Sequence, residues 1–210
     1  MGIKIVGIDL AGSERRKTGC CIICIAGRRM SSKTMVLHTD EEIIRIICEN
    51  KPCIVAIDAP LSLPHGRDSI DKKSPKHFRE CDIMLREKGI RFFPITLGPM
   101  RMLTKRGMNL KKKIQRLGIA SVIEVFPGAT YDVFGVGRRD KKGICAWARK
   151  LGLPANEGLS QDELDAIACA ITALLYLQGM HECLKGRDGE IVLPCPPALL
   201  RKNKYVPVYG

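Results

Sequence analysis

No run of this 210-residue chain is apolar for long enough to span a bilayer, which excludes a helical membrane protein. No signal-peptide pattern opens it either, since Met1 leads directly into a strand-like run, and the expected location is the cytoplasm. Histidine is scarce: the four residues His38, His65, His77 and His181 show no zinc spacing. Cys21 and Cys24 form the one Cys-x-x-C, but they lie in a strand-like run, where positions three apart face opposite sides. A zinc centre is therefore not expected. A Gly-x-Ser-x-Gly nucleophile elbow is missing, and Gly12 to Thr18 lacks the glycine before lysine that a P-loop needs. There is no internal repeat and no low-complexity tract.

Ten cysteines are present, scattered through apolar segments of a chain too long for a small disulfide scaffold, so buried free thiols are expected. The length suits a single domain over 1–210 with one elaboration. The net charge of +13 and isoelectric point near 9.4 point to a polyanionic partner, DNA or RNA. Most of the excess is local, because residues 65–118 hold fifteen Lys and Arg against five Asp and Glu. A solvated basic face explains many such runs. This one falls between acidic motifs, which favours a phosphate-binding role.

The first third reads as a three-stranded antiparallel meander over 3–10, 18–26 and 33–38. Thr39 then caps a helix, with Glu42 completing a capping box and Ile43, Ile44, Ile46 and Ile47 as its apolar face. A fourth strand over 53–57 follows, and a strand after a helix implies a crossover to a parallel neighbour, the first strand. Residues 62–120 read as a basic, mostly helical insertion, with helices over 75–88 and 109–117 and a loop over 92–99. A fifth strand over 122–126, a helix around Ala146, a long helix over 161–178 and a small ribbon of 191–193 with 205–207 complete the reading.

Four carboxylates stand where apolar neighbours make an ionised group costly: Asp9, Asp58, Glu124 and Asp165. Local chemistry explains some acidic residues and not others. Ser160 with Glu163 forms a capping box, so the cap accounts for Glu163, and Asp162 suits a first helical turn. Asp165 lies deeper, on one face with Asp162, Cys169, Thr172 and Tyr176. Asp9 and Asp58 each precede a turn that an Asx motif would serve. Glu124 inside Val-Ile-Glu-Val-Phe has no such account. Carboxylates gathered at strand ends and on one helix face have the arrangement that holds divalent ions for phosphoryl chemistry, and Mg²⁺ or Mn²⁺ suits all-oxygen ligands.

The motifs Gly7-Ile8-Asp9-Leu10-Ala11-Gly12, Ala56-Ile57-Asp58-Ala59-Pro60, Arg79-x-Cys81-Asp82-x-x-Leu85-Arg86-x-x-Gly89, Ile123-Glu124-Val125-Phe126-Pro127-Gly128 and Asp162-x-x-Asp165-Ala166 resemble those of domain-of-unknown-function family 429. That family is described as predicted nucleases of the ribonuclease H-like superfamily. The resemblance implies an α/β fold with a five-stranded mixed sheet of order 3-2-1-4-5, strand 2 antiparallel, flanked by helices. It also implies a metal-dependent nuclease with Asp9, Asp58, Glu124 and Asp165 as catalytic metal ligands and Asp162 in support. One departure stands out: Glu124 lies on the fifth strand, whereas ribonuclease H proper carries its glutamate on the first helix, where this chain offers Glu41, Glu42 and Glu49.

Arg79 and Arg86, with Asp82 between them at helical spacing, serve either as an intrahelical salt bridge or as a phosphate clamp, with Lys111 and Lys112 as further phosphate contacts. Two other functions stay open. A non-catalytic nucleic-acid binder accounts for the charge but not for Glu124 and Asp165. A nucleotide-dependent phosphotransferase of the same core fold accounts for the Asp-x-Ala-Gly turn, but such proteins usually close two domains around ATP.

Overall fold

The computed structural model describes residues 2–194. Strands β1 (Ile3–Asp9), β2 (Thr18–Ala26) and β3 (Arg29–Leu37) form the antiparallel meander. Helix α1 (Asp40–Asn50) begins with the expected capping box: Thr39 accepts from the Glu42 N–H at 3.1 Å, and Glu42 accepts from the Thr39 N–H at 3.0 Å. Only Ile43 and Ile47 of its four isoleucines are buried. The chain then crosses to β4 (Ile54–Asp58), which lies parallel to β1, and β5 (Ser121–Glu124) lies parallel to β4. The resulting order, β3-β2-β1-β4-β5, is the ribonuclease H-like one.

Alternation sends side chains from the strands into two cores. On one face Val6, Ile8, Val55 and Ile57 pack against α1 and against α3 (Gly98–Leu117), whose Leu110 and Ile114 are fully buried. On the other, Ile5, Cys21, Ile23 and Ala56 pack beneath α6 (Gln161–Leu177), which is buried from Leu164 through most of its length. Two glycines let α6 lie directly on the sheet. A Cβ at Gly7 would overlap the Ala166 carbonyl oxygen, and one at Gly19 would overlap that of Asp162. This close approach sets the height of the amino end of α6 above the ends of β1 and β4.

Several elements differ from the reading of the sequence, each for a local reason. Between β4 and β5, helix α2 spans Glu80–Glu87 and not 75–88, because Arg79 is extended (φ −83°, ψ 165°) and its N–H is capped by Asp82 at 2.8 Å. Helix α3 starts eleven residues earlier than expected, at Gly98, with Pro99 in its first turn, where a missing N–H costs nothing. The same effect produces α4 (Pro127–Phe134), for which the sequence reading has no helix and which shortens β5. Helix α5 (Lys141–Lys150) is the one expected around Ala146. In the terminal ribbon β6 (His181–Gly186) pairs with β7 (Gly189–Pro194), so 191–193 finds its partner upstream, and residues 205–207 lie outside those described. The ribbon packs on α2 through Leu85, Leu184 and Ile191. Cys21 and Cys24 do point to opposite faces, and all nine described cysteines are free. Among the described residues no helix is long and apolar enough to cross a membrane.

Candidate active site

Strand register decides which carboxylates meet. Asp9 and Asp58 are direct partners at the carboxyl ends of parallel β1 and β4, and both follow the parity of Gly7 and Ala56, toward α6. The first turns of α6 bring Asp162 and Asp165 onto the same side, and each of the four is half-buried. Asp165 is the best anchored. Its Oδ1 accepts from the Tyr131 hydroxyl at 2.8 Å and from the Gln161 amide at 2.9 Å, and Oδ2 has no protein partner among the described residues. Tyr131 itself is buried on α4, edge-on to Trp147.

The electrostatics follow from this crowding. Burial, then the charges of Asp58, Asp165 and Asp162, raise the Asp9 carboxyl well above the usual range. Burial, then Asp165 and Glu124, push Asp58 up to about 8, while its interaction with the Asp9 carboxyl pulls the other way. Burial also lifts Asp165 to about 6, against the pull of its two hydrogen bonds. The group is short of positive charge, and its donors are all hard oxygens, which fits Mg²⁺ or Mn²⁺. As the side chains stand, no three acidic, histidine or cysteine groups among the described residues converge closely enough to enclose an ion.

Glu124 belongs elsewhere. It is the register partner of Ile57, one residue short of Asp58, and Ile123 and Val125 on either side of it face the α6 core. Glu124 therefore points to the opposite face of the sheet. There Arg79 binds both its oxygens, at 2.6 and 2.7 Å, and the Leu61 N–H donates to it at 2.7 Å. Arg79 is 1% exposed and also grips both oxygens of Asp82, at 2.7 and 3.1 Å. Burial alone would lower the Arg79 pKa, but Glu124 and Asp82 raise it well above its ordinary value. The expectation that Glu124 holds metal and Arg79 holds phosphate thus meets a saturated internal ion triad.

The other expected phosphate contacts lie apart from the carboxylates. Arg86 is exposed, its guanidinium 5.1 Å from the Phe78 ring centroid. Lys111 is half-buried on α3, lining a cleft with Ser62, Glu124 and Lys185, and Lys112 is exposed on the same helix. Part of the basic excess is structural: Arg67 donates to the carbonyls of Ser69, Ile70, Lys72 and Lys76, and Arg106 to Asp40, Ala11 and His38. Residues that the sequence did not single out are closer. Arg91, Arg138, Phe92, Phe93 and Phe126 line a cavity that reaches Asp58. Apart from Phe126, which falls in the Ile123 to Gly128 motif, neither they nor Tyr131 carry a periodicity or motif that marks them, because loops and a missed helix bring them together.

Strand order, paired carboxylates at the ends of β1 and β4 and an acidic helix above them define a ribonuclease H-like protein. In fold the chain is similar to Thermus thermophilus RuvC in complex with Holliday junction substrate, at a TM-score of 0.54 and 13% identity over 90% of this chain and 99% of that one. A second Thermus thermophilus RuvC structure aligns at a TM-score of 0.48 and 14% identity, over 84% and 97% of the two chains. Residues 7–190 match the family described as "Protein of unknown function (DUF429)", and the chain belongs to that family. No curated protein matches it.

Proposed function

We propose that this chain is a nuclease, a phosphodiesterase that cuts DNA or RNA with Mg²⁺ or Mn²⁺ held by Asp9, Asp58 and Asp165 and supported by Asp162. The observation that carries this reading is the meeting of Asp9 and Asp58 on adjacent parallel strands with Asp165 across from them, all three with raised pKa values. Bound divalent ions supply a nucleophile from water at neutral pH and stabilise the leaving oxygen. The chain's own residues prepare the place. Tyr131 and Gln161 fix one oxygen of Asp165 so that the other is presented to the site, and the Gly7 and Gly19 contacts hold α6 at the needed height. Glu124 and Arg79 line the cavity that reaches Asp58, but they are bound to each other there, bracing β5 against α2. Arg91, which lines the same cavity as Asp58 and has no protein partner among the described residues, meets the substrate phosphates. Nucleic acid as the partner is supported by the charge of +13 and by the Holliday junction recorded with the RuvC of the same fold.

A second reading, a nucleic-acid binder without catalysis, is favoured by the failure of any three described side chains to converge on an ion. One assay separates the two. Labelled single-stranded, duplex and branched DNA and RNA are incubated with Mg²⁺ or Mn²⁺ and with wild type, Asp9→Asn or Asp165→Asn. Cleavage by wild type that falls at least about a hundredfold in both variants is expected, as for loss of a group acting in the transition state. Cleavage indifferent to both substitutions removes the site, and salt-dependent binding without any cleavage favours the binder.

A further inference from the structure

The cavity that reaches Asp58 measures about 310 Å³, at the small end of ligand pockets. Its composition is unusual for this chain, in which aromatic residues make up only 5%. Of five phenylalanines, Phe92, Phe93 and Phe126 line the cavity, and a fourth, Phe78, packs edge-on against Phe92 with ring centroids 6.1 Å apart. Phe93 is 66% exposed, more than any other large apolar side chain among the described residues. Leu97 and Met102, also exposed, follow within nine residues of it. Folding does not explain an open phenylalanine at the mouth of an apolar cavity. A ligand that covers it does.

The polar groups define the ligand further. Arg138 lies over the Phe126 ring at 5.2 Å, its guanidinium held by Asp132 and by the Arg91 carbonyl, so cation and ring form a fixed shelf. The exposed Arg91 guanidinium has no partner among the described residues. Asp58 of the carboxylate group lines the cavity too, as do Arg79, Asp82 and Glu124, which are paired with one another. A flat apolar body flanked by an anion on the carboxylate side satisfies all three features, and a nucleotide has that form.

We infer that this cavity receives one unpaired nucleobase, stacked among Phe92, Phe93 and Phe126, while the attached phosphate lies between Arg91 and the carboxylates. The inference rests on the nucleic-acid reading above and narrows it. A base inside an uninterrupted duplex cannot enter such a pocket without leaving its stack, so the preferred substrates are single strands, bulges or branch points. Because every base has a π-face, the pocket tolerates any sequence.

The test measures binding in EDTA, so that cleavage is not a condition for a signal. Anisotropy titrations compare a labelled single strand, a duplex with a one-nucleotide bulge and a fully paired duplex, as DNA and as RNA, together with the bulged duplex whose unpaired nucleotide is abasic. Unpaired substrates are expected to bind at least about tenfold tighter than the paired duplex, the size of one base–aromatic stack. Phe93→Ala should remove that preference, Phe93→Trp should keep it, and Leu177→Ala, an exposed apolar change elsewhere, should leave it unaltered. Making the single bulged nucleotide abasic should cost wild type the same tenfold and cost Phe93→Ala nothing more. Equal affinity for paired and unpaired strands, unchanged by Phe93→Ala, overturns the pocket assignment while leaving the nuclease proposal to its own assay. No binding to any nucleic acid overturns both.

Discussion

Replacing Arg79 with methionine distinguishes an internal brace from a substrate contact. The guanidinium makes two bonds to Glu124, two to Asp82 and one to Ser62, all between 2.6 and 3.1 Å, from a side chain 1% exposed. Methionine fills comparable volume but leaves two carboxylates facing each other out of water. Breaking a buried pair from one side costs about 3–5 kcal/mol. For a domain of this size that is a fall in Tm of roughly 6–20 °C, at about 2–4 °C per kcal/mol. The pH dependence adds a second signature. Without Arg79, two buried carboxylates lack a counter-ion, a cost largest where both are charged, so the deficit shrinks as pH falls. Urea denaturation at pH 5 and pH 8 is the assay, with the triple change Arg79→Met, Glu124→Gln, Asp82→Asn recovering much of the loss. A change below about 1 kcal/mol at both pH values, the scale of an exposed pair, would refute the reasoning and return Arg79 to the pool of phosphate ligands.

Asp58→Asn should stabilise the metal-free protein at high pH: a carboxyl raised from 3.8 to about 8 costs stability as pH climbs through that window, at most about 6 kcal/mol by pH 9, and thermal melts in EDTA should show the wild-type slope and its absence in the variant. Mn²⁺ should raise the wild-type Tm more at pH 8 than at pH 6, because the ion competes with protons on Asp58 and Asp165, and a shift equal at both pH values would count against carboxylate ligands. Tyr131→Phe removes the 2.8 Å bond that lowers the Asp165 pKa; carboxyl titration by NMR should place Asp165 above its wild-type value, with a stability loss of about 1 kcal/mol. Gly19→Ala drives a methyl into the Asp162 carbonyl, and overpacking of this kind costs about 1–3 kcal/mol, readable by urea denaturation.

Where one rule governed a segment, the sequence was sufficient. Alternation and β-branching located β1 to β4, the two capping boxes located α1 and α6, and the crossover between α1 and β4 made the latter parallel to β1. Proline was the main source of error. Pro99 reads as the end of a loop and Pro127 falls just past the fifth strand, yet each opens a helix, where its missing N–H is not needed. Long-range partners were beyond reach as well: nothing near Arg79 announces that Glu124, forty-five residues on, takes its charge.

The acidic residues show how composition and position diverge. Asp58 and Glu124 occupy the ends of neighbouring strands and look equivalent in their apolar surroundings, but their registers differ by one residue. In a sheet one residue is a change of face, so Asp58 joins Asp9 and α6 while Glu124 faces the basic insertion. The same offset decides what each costs the fold. Glu124 is ion-paired within the chain to a buried arginine that it shares with Asp82. Asp58 faces Asp9 and is raised to about 8 by burial and by its neighbours, an unrelieved cost that a purely structural carboxylate would have no reason to retain. Of two glutamate- and aspartate-bearing strand ends, the one left unsatisfied by the protein is the one positioned to act on something else.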